Sequence, residues 1–116
     1  IAERYNFLLK DLPVQIPYQL ENTYSGLHLY VIRLKLDTIS ATHMDVFEEL
    51  RANNIAVNLH YIPVHTQPYY QDLGFQLGQF QESERYYQEA ISIPLYHRMS
   101  NSQQDTVIAA LNKILL

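Results

Sequence analysis

Apolar and polar positions alternate with a period of two between residues 28 and 36. Tyr30, Ile32, Leu34 and Leu36 fall on one side, and Leu29, Val31, Arg33 and Lys35 on the other. Successive side chains of an extended backbone point to opposite faces, so this pattern predicts a strand with one apolar face. A second alternation sets Ile55, Val57, Leu59 and Tyr61 against Asn58 and His60. It predicts a strand over residues 55–62, ended by Pro63. A third strand is expected over residues 90–95, where Pro94 punctuates the run.

The remaining apolar positions follow helical spacing. Residues 1–10 read as helix, and Pro13 and Pro17 then impose an extended connector. Thr42 with Asp45 three residues on is a capping-box variant. The helix it opens places Met44, Phe47 and Leu50 inward and ends at Asn53 and Asn54, since Asn tolerates left-handed backbone. Residues 65–72 predict a short helix stopped by Gly74, followed by a loop to Phe80. Residues 81–89 predict another helix, with Ser83 or a neighbour as its cap. The Ser100-x-x-Gln103 box opens a final helix over residues 101–116.

The order helix, strand, helix, strand, helices, strand, helix argues a small α/β domain of about three strands with helices packed on the sheet. The pattern leaves strand order and direction open. A sheet of this size cannot bury both its faces, so one is expected to lean on a larger neighbour. Ile1 opens in mid-helix with no cap, which leads us to expect residues before it; the apolar stripe of the last helix finishes at Leu116 as a natural end would.

Composition narrows the function classes. The 116 residues suffice for one core, not two. The net charge is −4, and the eight basic residues are scattered without forming a stripe, which argues against a nucleic-acid footprint. The absence of cysteine excludes disulfide scaffolds and thiolate metal sites, and fits the cytoplasmic location we expect. No apolar run approaches the roughly 18 residues that span a bilayer. Ten tyrosines against four phenylalanines favour surfaces that are half wet and half packed.

The candidate chemistry lies in Asn58-Leu59-His60-Tyr61-Ile62-Pro63-Val64-His65-Thr66-Gln67-Pro68-Tyr69-Tyr70, which gathers two histidines and three tyrosines at a strand exit. Metal binding would need three or four compatible ligands, whereas His28, His43 and His97 are dispersed. Two readings of His60 and His65 stay open. One is structural, with His60 on a strand surface and His65 capping a helix. The other is a substrate-contacting pair, because a neutral imidazole both donates and accepts, which suits sugar hydroxyls and phosphate oxygens. Tyr69 and Tyr70 are expected to pack rather than to stack on a base. Glu48–Glu49 and Glu82–Glu84 read as solvated helix faces. No glycine-rich phosphate loop or nucleophile elbow is present, and Lys10, Lys35 and Lys113 do not sit in an aldimine-forming loop. We therefore assign no catalytic, cofactor-binding or metal residue to this chain.

Four blocks together resemble the C-terminal region of the DegT/DnrJ/EryC1/StrS aminotransferases. They are Gly26-Leu27-His28-Leu29-Tyr30-Val31-Ile32, residues 46–57, residues 58–74, and Ala90-Ile91-Ser92-Ile93-Pro94-Leu95-Tyr96 with its following helix. His60-Tyr61-Ile62-Pro63-Val64-His65 is the most specific part, and it is most similar to the UDP-sugar aminotransferases of the pseudaminic-acid pathway. The resemblance implies the small C-terminal domain of a fold-type I enzyme that works as a homodimer. Residues 1–17 would end an inter-domain helix and its connector, and residues 18–116 would form the small domain. It implies pyridoxal phosphate held by a large domain outside this chain, glutamate as amino donor, and a 4-keto-6-deoxy nucleotide sugar as acceptor. It further implies that His60, Tyr61 and His65 border the substrate site, with His28 at the neighbouring strand entry. Leu27, where the family often has an aromatic residue, and His97, where proline is common, depart from its pattern. The rival readings are a stand-alone binding or regulatory α/β domain without chemistry, and a structural dimerisation domain.

Overall fold

A computed structural model describes residues 1–116. Five helices and three short strands follow in the order α1 (Ala2–Leu8), β1 (Val14–Gln15), β2 (Tyr30–Leu34), α2 (His43–Ala52), α3 (Pro68–Asp72), α4 (Gln81–Glu89), β3 (Ala90–Ile93) and α5 (Asn101–Leu115). A single 3-10 turn, Val64–Thr66, precedes α3. The strands form one antiparallel sheet in the order β1-β2-β3.

The predicted alternation in β2 sets the two faces of that sheet. Tyr30, Ile32 and Leu34 are buried and pair across to Ile93, Ile91 and Val14 respectively. On this face the sheet meets Tyr5 and Leu9 of the first helical segment, Val46 and Leu50 of α2, and Val107, Leu111 and Leu115 of α5, in one continuous core. The Tyr5 and Tyr30 rings lie 5.0 Å apart, and the Tyr5 hydroxyl donates to the Pro94 carbonyl at 2.9 Å. Burial raises the Tyr30 phenol to about 12 and moves Tyr5 in the same direction, because neither ring can ionise without water.

Val31, Arg33, Ala90 and Ser92 lie on the opposite face. Helix α4 covers part of it. Arg33 is bonded to Glu89 by Nε at 2.9 Å and Nη2 at 2.6 Å, and its guanidinium lies over the Tyr86 ring. The expectation of a sheet face left open is thus met only in part. Uncovered apolar side chains also line the approach to β2. Residues 17–29 are all exposed, and Tyr24 is 90% so.

Both capping boxes form as predicted, Thr42 with Asp45 and Ser100 with Gln103. Asn54 takes the left-handed backbone expected after α2, with φ 58°. Helix α4 has the predicted bounds, but Phe80 occupies its N-cap without a side-chain hydrogen bond, and Ser83 caps nothing.

Three expectations are corrected. The strand over residues 55–62 does not form: only Asn58 bridges to Ser92, through hydrogen bonds of 2.9 and 3.1 Å. Ile55 and Val57 are buried as the alternation required, but Leu59 is only partly buried and Tyr61, three residues after the bridge, is 67% exposed. The third strand is β1 instead, between two prolines. Its pairing with β2 supplies the ladder bonds that a connector would otherwise leave to water. In α2, Val46 faces the core, Met44 is 57% exposed and Phe47 only half-buried. The buried stripe runs through residues 46 and 50, one turn apart, so Leu50 is the one predicted inward residue that lies on it.

Candidate functional site

The segment between Asn58 and Tyr70 leaves β3 at the Ser92 bridge and turns at Pro63. His60 is half-buried, and its Nδ1 lies 2.8 Å from the Ser92 hydroxyl. Ser92 stands on the second sheet face beside Val31. This bond fixes the imidazole against the sheet and leaves Nε2 without a protein partner. Tyr61, next in the chain, projects into solvent. On the same sheet face, Val31, Arg33, Tyr86, Leu29 and Tyr18 border a hollow of about 270 Å³.

His65 is buried at 7% exposure. Its Nε2 lies 2.7 Å from Glu84 Oε1, and its ring packs on Phe80 with centroids 4.8 Å apart. Glu84 also accepts the Gly78 amide, at 2.8 Å on Oε1 and 3.0 Å on Oε2. Gly78 has φ +88°, a conformation that residues with a Cβ rarely adopt. One carboxylate therefore ties the turn, the loop before α4 and α4 itself.

The hydrogen bond from His65 holds the Glu84 carboxyl below its ordinary range, with the Gly78 amide contributing in the same direction. A lowered folded-state value means that this contribution to stability is present above the unfolded value of 4.5 and is lost as pH falls through the folded one. We expect Glu84→Gln to flatten the acid limb of stability against pH relative to wild type. Urea midpoints measured between pH 6 and 3 check this, and parallel curves for the two proteins would contradict it.

The four sequence-predicted residues occupy three separate settings. His60 and Tyr61 adjoin the second sheet face, His65 is held by α4, and His28 is exposed just before β2. No hydrogen bond joins His28 to the others. Tyr69 and Tyr70 do not enter the core: they are exposed and pack edge-on against each other, with Tyr70 reaching Phe75. Sequence reading missed Glu84, which it placed on a solvated face. The available signal was weak, a glutamate in the first turn of a helix that follows a glycine loop, 19 residues from its histidine. No three His, Cys, Asp or Glu side chains gather as a metal site.

The profile of the DegT/DnrJ/EryC1/StrS aminotransferase family matches residues 1–112. The spore coat polysaccharide biosynthesis protein SpsC of Bacillus subtilis is 33% identical over 118 residues, covering 99% of this chain and 30% of the relative. Two solved structures share the fold. The putative sugar aminotransferase Spr1654 of Streptococcus pneumoniae, in its apo-form, superposes with a TM-score of 0.87 at 23% identity over 97% of this chain and 28% of its own. The Helicobacter pylori aminotransferase involved in the biosynthesis of pseudoaminic acid gives 0.85 at 23% identity, over 98% and 30%. The latter is one of several similar neighbours, and no special nearness to it emerges. The chain spans about 30% of the length of the relatives it matches.

Proposed function

Because this chain belongs to the DegT/DnrJ/EryC1/StrS aminotransferase family, we propose that it is the C-terminal part of an enzyme that moves an amino group from glutamate to a 4-keto-6-deoxy nucleotide sugar in surface-polysaccharide or glycan biosynthesis. The observation that carries this reading is the family match over nearly the whole chain. The relative named for spore coat polysaccharide biosynthesis is consistent with that class of product. A pseudaminic-acid-type UDP-sugar is the acceptor we would test first, on the His60–His65 block. We further propose that the enzyme is a cytoplasmic homodimer. The exposed apolar residues between 17 and 29 would pack on the rest of the polypeptide or its partner. No helix of this chain is long and apolar enough to cross a membrane.

Pyridoxal phosphate is the cofactor the family implies, and the residues present do not fit it. Lys35 and Lys113 are exposed, and Lys10 lies over the Phe7 ring beside Asp11. No lysine is buried beside a phosphate cradle. We place the cofactor outside these 116 residues and give this chain the task of walling the sugar site. His60 serves that task best. With Nδ1 committed to Ser92, its Nε2 is oriented without a protein partner and can take a substrate hydroxyl or phosphate oxygen.

In the full-length enzyme, with glutamate as donor, 2-oxoglutarate should form when the keto sugar nucleotide is supplied, and no amino transfer to any such sugar would overturn the reading. Replacing His60 with Ala should raise KM for the sugar nucleotide by about tenfold, the worth of one hydrogen bond, and leave KM for glutamate unchanged. An unaltered sugar KM removes His60 from the site.

A further inference from the structure

Beyond His60, a second imidazole is tied to a carboxylate. Glu84 is an ionised carboxylate by virtue of its bonds, and an ionised carboxylate only accepts hydrogen bonds. Its partner His65 Nε2, at 2.7 Å, must therefore carry the proton. In the neutral form of the ring this leaves Nδ1 as the acceptor. Nδ1 has no protein partner, and no side-chain nitrogen or oxygen in the molecule is both buried and unpartnered, so this atom meets solvent. The ring also borders a hollow of about 320 Å³ whose other walls are Val64, Tyr70, Phe75, Phe80 and Ser83. Three aromatic rings, with the polar groups of His65 and Ser83 among them, form a surface for a molecule with an apolar face and a hydroxyl edge. A hexose ring has both. The neighbouring negative charge of Glu84 disfavours a diphosphate at the same place.

From this geometry we infer that Glu84 is a positioning residue: it fixes the Nε2–H tautomer of His65 and thereby presents Nδ1 as the acceptor for a hydroxyl of the hexose at the aromatic hollow. The hexose assignment rests on the nucleotide-sugar reading above; the tautomer does not. A carboxylate that accepts from one ring nitrogen of a histidine sets which nitrogen is left to meet a ligand.

The test has two arms. In the 15N-labelled protein, titrated until the imidazole is neutral, His65 should show a protonated Nε2 and a pyridine-type Nδ1. Glu84→Gln should keep that pattern, because one amide oxygen can accept both the His65 and Gly78 N–H groups, whereas Glu84→Leu should mix the tautomers. A protonated Nδ1 in wild type, or an unchanged pattern in Glu84→Leu, overturns the positioning role. In the full-length enzyme, Glu84→Leu should raise KM for the sugar nucleotide about tenfold with KM for glutamate unmoved, and Glu84→Gln should restore it. Equal rises in both KM values would reduce Glu84 to a structural tie. If the enzyme aminates no sugar while the nitrogen pattern holds, the functional reading fails and takes the hexose contact with it. If the enzyme is active and the pattern is absent, the inference fails alone.

Discussion

Truncating Tyr5 to alanine is expected to cost about 4 kcal/mol of stability, within the range for deleting a fully buried aromatic side chain. Tyr5 has no exposed surface and joins three parts of the core. Its ring packs on Tyr30 of β2, its hydroxyl donates to the Pro94 carbonyl at the end of β3, and that hydroxyl approaches the Met99 sulfur ahead of α5 at 3.7 Å. Alanine leaves a cavity where these meet, and the surrounding elements belong to different segments that cannot collapse together. Tyr5→Phe separates the two contributions. It keeps the ring and leaves the Pro94 carbonyl short of a donor, at about 1–2 kcal/mol. Urea unfolding of the two variants checks the ordering, and equal losses would mean that packing contributes nothing beyond the hydroxyl.

Arg33 is the next sensitive position. Its guanidinium makes two bonds to one oxygen of Glu89, both side chains being only about one-fifth exposed, and it lies over Tyr86 with 5.6 Å to the ring centroid. Arg33→Leu removes a charge-assisted pair and leaves a half-buried carboxylate without its cation, which should cost about 2 kcal/mol. Adding Glu89→Leu should recover most of that loss, because two apolar groups satisfy each other where one charge cannot. The double-mutant cycle in urea decides the point: additive losses would show that the pair is not coupled. Because this bridge helps seat α4 on the second sheet face, the single variant should also loosen the α4 residues that reach His65.

These expectations rest on contacts of unequal visibility in the chain. The α4 and α5 boundaries, both capping boxes and the buried face of β2 were legible, because each is encoded by residues within about four positions of one another. The short strand β1 was not. Two residues between prolines carry no alternation, and only the presence of Leu34 and Arg33 opposite them makes a ladder. The alternation over residues 55–62 was a true signal for burial of Ile55 and Val57 but a false one for a strand, since pairing needs a partner edge and β3 offers its second edge only at Ser92. Tyr69 and Tyr70 pack as expected, but on each other and on Phe75 at the surface and not in the core, since α3 is a five-residue helix with no buried residue.

Local order alone thus determined where this chain turns helical, which side of β2 is apolar, and the family to which its His60–His65 block points. Tertiary structure alone decided that the Ser92 hydroxyl holds His60 and that Glu84, 19 positions from His65, holds the second ring. The reason is range: hydrophobic period and capping act between near neighbours, whereas a hydrogen bond between side chains on separate segments exists only after the sheet and α4 have brought them within reach.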